Sequence, residues 1–205
     1  MRILKKLLFI LLAWSCTNEN PNKLYIETYN MVFGVNNTKV IDKIIDYGDS
    51  LLLKAYDQHK IEVAYKLFLN DIQNNRIDSF DIGLTNEEME NFINLFEINN
   101  LKNEIWSFSE RDGREVFSIA YNGKFLNSFE KLIDKDRIAL DYFDMYGAGG
   151  GISYPLLAGG ILENELNNYL IKRIVIVDVL YRNLTNTAYN KALIHSTKAK
   201  LNNKD

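Results

Sequence analysis

The sequence predicts a single, mainly α-helical domain of irregular bundle type, and three observations carry that prediction. Apolar residues recur at helical spacing, as in Val40, Ile41, Ile44, Ile45, Leu51, Leu52 and Ala55. The 205 residues hold only two prolines, Pro21 and Pro155, each placed where a helix can begin. Period-two alternation, the mark of a half-buried strand, is confined to one short stretch near Trp106.

The elements follow in order. A first helix is expected from Leu24 to Phe33, stopping at Gly34. Gly48 interrupts the next periodic stretch and Asp49-Ser50 offers a fresh cap, so a break or kink is expected there. Ile61 to Ile72 continues the pattern with Tyr65, Leu69 and Ile72 on one face. Thr85 with Glu88 forms a capping box ahead of Met89, Phe92, Ile93 and Phe96. Around residues 104–122 the period changes. Trp106 and Phe108 alternate with polar residues, Asp112-Gly113 is a turn pair, and Phe117, Ile119 and Tyr121 alternate again, which predicts a small β-hairpin. Asn122-Gly123 then turns the chain.

Phe125 to Leu132 and Arg137 to Tyr146 read as two short helices, and Pro155 to Leu162 as a third. Asn164 to Leu184 is the candidate for the central core helix, because Leu166, Leu170, Ile174, Val177, Tyr181 and Leu184 fit one helical face. Its β-branched run Ile174-Val175-Ile176-Val177 would also suit a buried strand; length and flanking residues favour helix. Lys172, Arg173 and Asp178 interrupt the apolar run, so it is not expected to span a membrane. Residues 185–205 turn polar and are expected to form a frayed tail. The domain layout is then a signal over residues 1–15, an anchor and tether over 16–23, a helical domain over 24–184, and the tail.

The signal is the most specific feature. Arg2, Lys5 and Lys6 make a basic start, and Leu7 to Trp14 follow without a charge. This matches a secretory signal, whose apolar region runs about 7–15 residues, whereas a spanning helix needs roughly 20. Leu12-Ala13-Trp14-Ser15-Cys16 resembles the lipobox of bacterial lipoprotein precursors. That resemblance implies cleavage between Ser15 and Cys16 and acylation of Cys16, with palmitate-like chains holding the protein at the bacterial cell envelope. Thr17 after the cysteine, rather than aspartate, resembles lipoproteins sent to the outer membrane. Ala13 and Ser15 also suit an ordinary signal peptidase, so a secreted, unlipidated product stays open. Cys16 is the chain's only cysteine, and lipidation would leave the mature domain without a reactive thiol.

Removing Arg2, Lys5 and Lys6 leaves 21 basic against 27 acidic residues, a mature charge of −6. An acidic surface disfavours nucleic acid, whose binders need a basic face to displace counterions. It equally disfavours docking on anionic lipid heads.

No catalytic, cofactor-binding or metal-ligating set stands out. The glycine run at Gly147, Gly149, Gly150 and Gly151 lacks the lysine or third glycine of a phosphate loop and reads as a connection between helices. Gly151-Ile152-Ser153-Tyr154-Pro155 departs from a nucleophile elbow at Pro155, so Ser153 reads as a helix cap. The two histidines, His59 and His195, lie in polar surroundings, and His59 with Glu62 has no second histidine near. Asp141 and Asp144 share a helix face and are the best candidates for paired carboxylates, as a glycosidase would need; Glu87 and Glu90 form a similar pair. The expected function is a lipid-anchored envelope protein with a helical binding or interaction domain of unknown ligand, for example one that holds or neutralises a partner protein. The alternatives are an envelope hydrolase using acidic residues such as Asp141 or Asp144, and a carrier of an apolar ligand or lipid.

Overall fold

The computed structural model describes residues 22–75, 80–111, 114–147 and 153–189. Cys16, the glycines at 149–151 and His195 lie outside them. The described chain is mainly α, with one two-stranded sheet.

Helix α1 (Lys23–Phe33) is joined to α2 (Val35–Ala55) through Gly34 alone. Gly34 sits at φ +82°, a conformation costly for any residue with a Cβ, and this allows two helices to meet across one residue. Helix α2 runs straight through Gly48, so the expected break is absent. Gly48 serves close packing instead: a Cβ there would stand 2.7 Å from Ile176 Cγ2 and 2.9 Å from its Cδ1. After α3 (Ile61–Asn75), helix α4 (Asn86–Ile98) starts with the expected capping box. Thr85 Oγ1 accepts from the Glu88 N–H at 3.2 Å, and the Glu88 carboxylate accepts from the Thr85 N–H at 3.0 Å.

A single turn, α5 (Lys102–Ile105), leads into strands β1 (Trp106–Arg111) and β2 (Arg114–Ile119). They pair antiparallel with Trp106 opposite Ile119 and Phe108 opposite Phe117, the hairpin the alternation predicts. Helices α6 (Lys124–Glu130), α7 (Arg137–Gly147) and α8 (Tyr154–Leu162) follow, the last with proline in its first turn.

The final helix begins at α9 (Tyr169–Arg173), passes through a π-helical segment π1 (Ile174–Leu180), and continues as α-helix over 181–189. It starts later than Asn164 because Asn168 caps it, its Oδ1 accepting from Leu170 N–H at 2.7 Å. It also does not stop at Leu184: Thr187 is buried, and its Oγ1 donates to the Phe80 carbonyl at 3.3 Å. All seven residues of π1 are buried, as expected of a helix at the centre of a core rather than on its surface. Leu170, Ile174, Val177, Tyr181 and Leu184 all face that core.

The hairpin docks on this helix through rings. Trp106 stacks on Tyr181 at 3.9 Å between centroids, while Phe96 meets both edge-on at 4.9 Å. Offset stacking and edge contacts of this kind add about 0.5–1.5 kcal/mol each to simple burial. Asn183 ties down the segment before α4: its Oδ1 accepts from the Phe80 N–H at 2.8 Å and its Nδ2 donates to the Phe80 carbonyl at 3.1 Å. Among the described residues no helix is long and apolar enough to cross a membrane.

A candidate cleft over a buried ionic cluster

Residues of helices α7 and α8 and of the final helix line a surface cleft of about 650 Å³. Its floor is apolar because each wall turns its helical core face inward: Ile138 and Tyr142 from α7, Leu157 and Ile161 from α8, Ile171 and Ile174 from the final helix. Apart from the half-buried Ile138, these floor residues are almost fully buried. The rim is charged. Asp141 and Asp144 stand on the outer edge of α7, and Glu163 with Asn164 closes the end of α8. Arg137 is the one base on the rim, and its Nε lies 3.5 Å from Asp141 Oδ2, a pair that is 90% and 58% exposed and so contributes little to stability. Asp144 and Glu163 make no ion pair among the described residues. Gly160 lies on the cleft wall, and a Cβ added there meets nothing within 4 Å.

Beneath the floor lies an ionic cluster. Asp178, in π1, is fully buried, and its Oδ2 accepts from Tyr142 Oη at 2.9 Å and from Tyr146 Oη at 2.5 Å. Arg182, one turn on, donates to Asp178 Oδ1 at 2.9 Å and lies 4.0 Å above the Tyr154 ring. Burial drives the Asp178 carboxyl up to about 6, against the two phenolic hydrogen bonds that pull it down. Burial likewise pushes both phenols well above their ordinary value. Tyr142 joins the two features, since it lines the cleft and donates its hydroxyl to Asp178. Among the described residues Tyr154 Oη and Arg182 Nε find no hydrogen-bond partner.

Two further nodes pin the start of the same helix. Arg173, almost fully buried, donates to Asp42 on α2 and to Tyr169 Oη, and lies 4.6 Å from the Tyr29 ring. Lys172 pairs with Asp49 on α2 at 3.3 Å, and Asp49 also accepts from Tyr65 Oη. Burial raises the Asp49 carboxyl, opposed by the hydrogen bond from Tyr65 and the charge of Lys172. The charges that interrupt the apolar run in the sequence are thus cross-braces between the central helix and its neighbours.

A second recess of about 650 Å³ lies between α2 and α4. Val40, Ile44, Tyr47, Leu95 and Ile98 give it an apolar lining more open than that of the first cleft, with Ile98 75% exposed and Val40, Tyr47 and Leu95 half-buried. Its rim is amide-rich, with Asn91, Asn94, Asn99 and Lys43, and carries no acid.

Asp141 and Asp144 do open on one cleft, both solvent-exposed. Glu87 lies in the first turn of α4, where an acid complements the helix dipole, and Glu90 is exposed on the same helix. Ser153 occupies the N-cap of α8 but makes no side-chain capping bond. His59 is exposed in a bend before α3. Among the described residues no three His, Cys, Asp or Glu side chains converge as a metal site. Sequence reasoning missed Asp178 and Arg182; the signal available was an i,i+4 acid–base pair inside an apolar helix. Comparisons with family models, curated proteins and solved structures find no match to this chain.

Proposed function

We propose that this chain is a lipid-anchored protein of the bacterial envelope whose helical domain holds a partner protein in the α7–α8 cleft. The anchor is supported by the basic start, the short apolar run and the Leu12–Cys16 segment. The observation that carries the binding role is the cleft itself: an apolar floor with a solvated polar rim, the makeup of interface cores and ligand sites. Two or more acyl chains on Cys16 would fix the domain firmly at a membrane surface, where one chain would give only marginal binding.

The test has two arms. Cells fed a labelled fatty acid should mark the wild-type chain and not Cys16→Ala; equal labelling of both removes the anchor. Crosslinked pull-down of the tagged wild-type chain from envelopes should then recover a stoichiometric protein. Recovery of none after stringent washing removes the binding role.

Because Asp141 and Asp144 share the cleft, carboxylate hydrolysis of an envelope polymer is the second reading. It requires Asp141→Asn or Asp144→Asn alone to abolish turnover of that polymer. Binding requires only a partial, additive weakening from each.

A further inference from the structure

We propose that a small recess beside the turn after the hairpin binds a neutral sugar ring of a glycan, with Tyr121 and Phe143 as its stacking wall and Asn122, Asn127 and Glu130 as partners for its hydroxyls. These five residues line a surface recess of about 220 Å³. Phe143 is on α7 but takes no part in lining the α7–α8 cleft, so this site is separate from the one assigned to a protein partner.

Accessible aromatic surface is the first argument. Tyr121 is 60% exposed, and its ring centroid lies 6.4 Å from that of the half-buried Phe143, with 36° between the ring planes. Two neighbouring rings open to solvent offer the C–H-lined face of a pyranose a surface to pack on.

Unused polar groups are the second. Among the described residues the side chains of Asn122, Asn127 and Glu130 make no hydrogen bond or ion pair. Each amide offers two donors and a carbonyl acceptor, while the carboxylate only accepts. Sugar hydroxyls both donate and accept, so they can use all three groups. No lysine or arginine lines the recess, which leaves a phosphate, a sulfate or a nucleotide without its usual partner. Glu130 opposes an acidic sugar. A quaternary ammonium would use the rings and Glu130 but leave both amides idle.

The walls are also fixed in advance. Tyr121 and Asn122 sit in a tight turn closed by the Gly123 N–H donating to the Ala120 carbonyl at 2.9 Å, and the Ala120 N–H donates to the Ile105 carbonyl at 2.9 Å. Gly123 allows that turn, because a Cβ there would stand 2.8 Å from Ala120 Cβ and 3.0 Å from the Glu104 carbonyl oxygen. Asn127 and Glu130, three residues apart, share one face of α6. That helix is held to α7 by Phe129 against Tyr142, 4.5 Å between centroids. A site built this way has little left to order when a ligand arrives.

The experiment uses the chain from residue 16 with Cys16→Ser, which keeps every described residue. It is offered maltotetraose, cellotetraose and tetra-N-acetylchitotetraose at up to about 10 mM, read by saturation-transfer NMR. At least one tetraose should take up saturation on its ring C–H protons, with a Kd of about 1 mM, as expected of one ring in a recess of this size. Tyr121→Ala should weaken it at least about tenfold, and Tyr121→Phe, which keeps the ring, by no more than about threefold. Asn122→Ala should weaken it about fivefold. Tyr121 and Asn122 are both exposed, so neither change should move the urea midpoint. Met31→Ala, 66% exposed on α1, should leave sugar binding unchanged.

Binding of none of the three tetraoses overturns the inference. So does binding that Tyr121→Ala weakens no more than Met31→Ala does. Binding of tetramethylammonium that is lost in Glu130→Gln, with no sugar bound, would make the recess a cation cage and overturn it too.

Discussion

Adding one methyl group at either of two helical glycines should move stability in opposite directions. Gly48 and Gly160 both lie inside helices, where alanine is favoured over glycine by about 1 kcal/mol. At Gly160 the new Cβ meets nothing within 4 Å, so Gly160→Ala should stabilise by about 0.5–1 kcal/mol. At Gly48 the new Cβ would stand 2.7 and 2.9 Å from two atoms of Ile176 and 3.2 Å from Phe92 Cε2. Both neighbours are fully buried, so neither can swing into solvent. Overpacking of this kind costs typically 1–3 kcal/mol, which outweighs the helical gain and leaves Gly48→Ala destabilised by up to about 2 kcal/mol.

Urea unfolding of the two variants beside wild type measures this, with unchanged slopes confirming a like-for-like comparison. Combining Gly48→Ala with Ile176→Ala removes both clashing carbons. The double variant should then be about 1–2 kcal/mol more stable than the sum of the singles implies. If Gly48→Ala proves as stabilising as Gly160→Ala, or the pair is strictly additive, the close approach of α2 to the central helix is wrong.

Other consequences can be measured on the same material. Asp178 faces Tyr142 and Tyr146 from α7 and Arg182 on its own helix, and its carboxyl rises from 3.8 to about 6, equivalent to about 3 kcal/mol. A raised carboxyl favours the folded state below its unfolded value, and that contribution is lost as pH climbs through about 6. The stability of wild type minus that of Asp178→Asn should therefore fall by about 2 kcal/mol between pH 4 and pH 7, since the unfolded carboxyl is already half ionised at pH 4, and a flat difference would remove burial as the dominant force on this group. Asn183→Ala leaves the Phe80 N–H without its partner and the Phe80 carbonyl with Thr187 Oγ1 alone, and should cost about 1–3 kcal/mol in urea unfolding. Thr85→Ala should cost about 1 kcal/mol by the same assay, through loss of the α4 cap.

What the sequence made legible was local. The Thr85–Glu88 box is written within four residues, and the hairpin shows as alternation within a few residues of its turn pair. The core face of the last helix is likewise visible as period alone. What escaped depends on partners far along the chain. Gly48 looks like a helix breaker until Ile176 is seen packed over it. Arg173 looks like an interruption until it meets Asp42, 131 positions away, and Asp178 until it meets Tyr142 and Tyr146. The late start of the final helix was decided by Asn168, one of several asparagines able to cap it. The cleft is illegible for the same reason: α7 offers Asp141 and Asp144 as an acidic face, and only the placement of α8 beside it supplies the apolar wall.

The central claim is that this cleft holds a protein, and site-specific photocrosslinking in intact cells tests it most directly. A photoreactive residue at Asn164, on the rim, is compared with one at Met31, which is 66% exposed and lies on α1, outside the cleft lining. One discrete protein adduct is expected from Asn164 alone. Equal labelling from both sites, or none from Asn164, would contradict it.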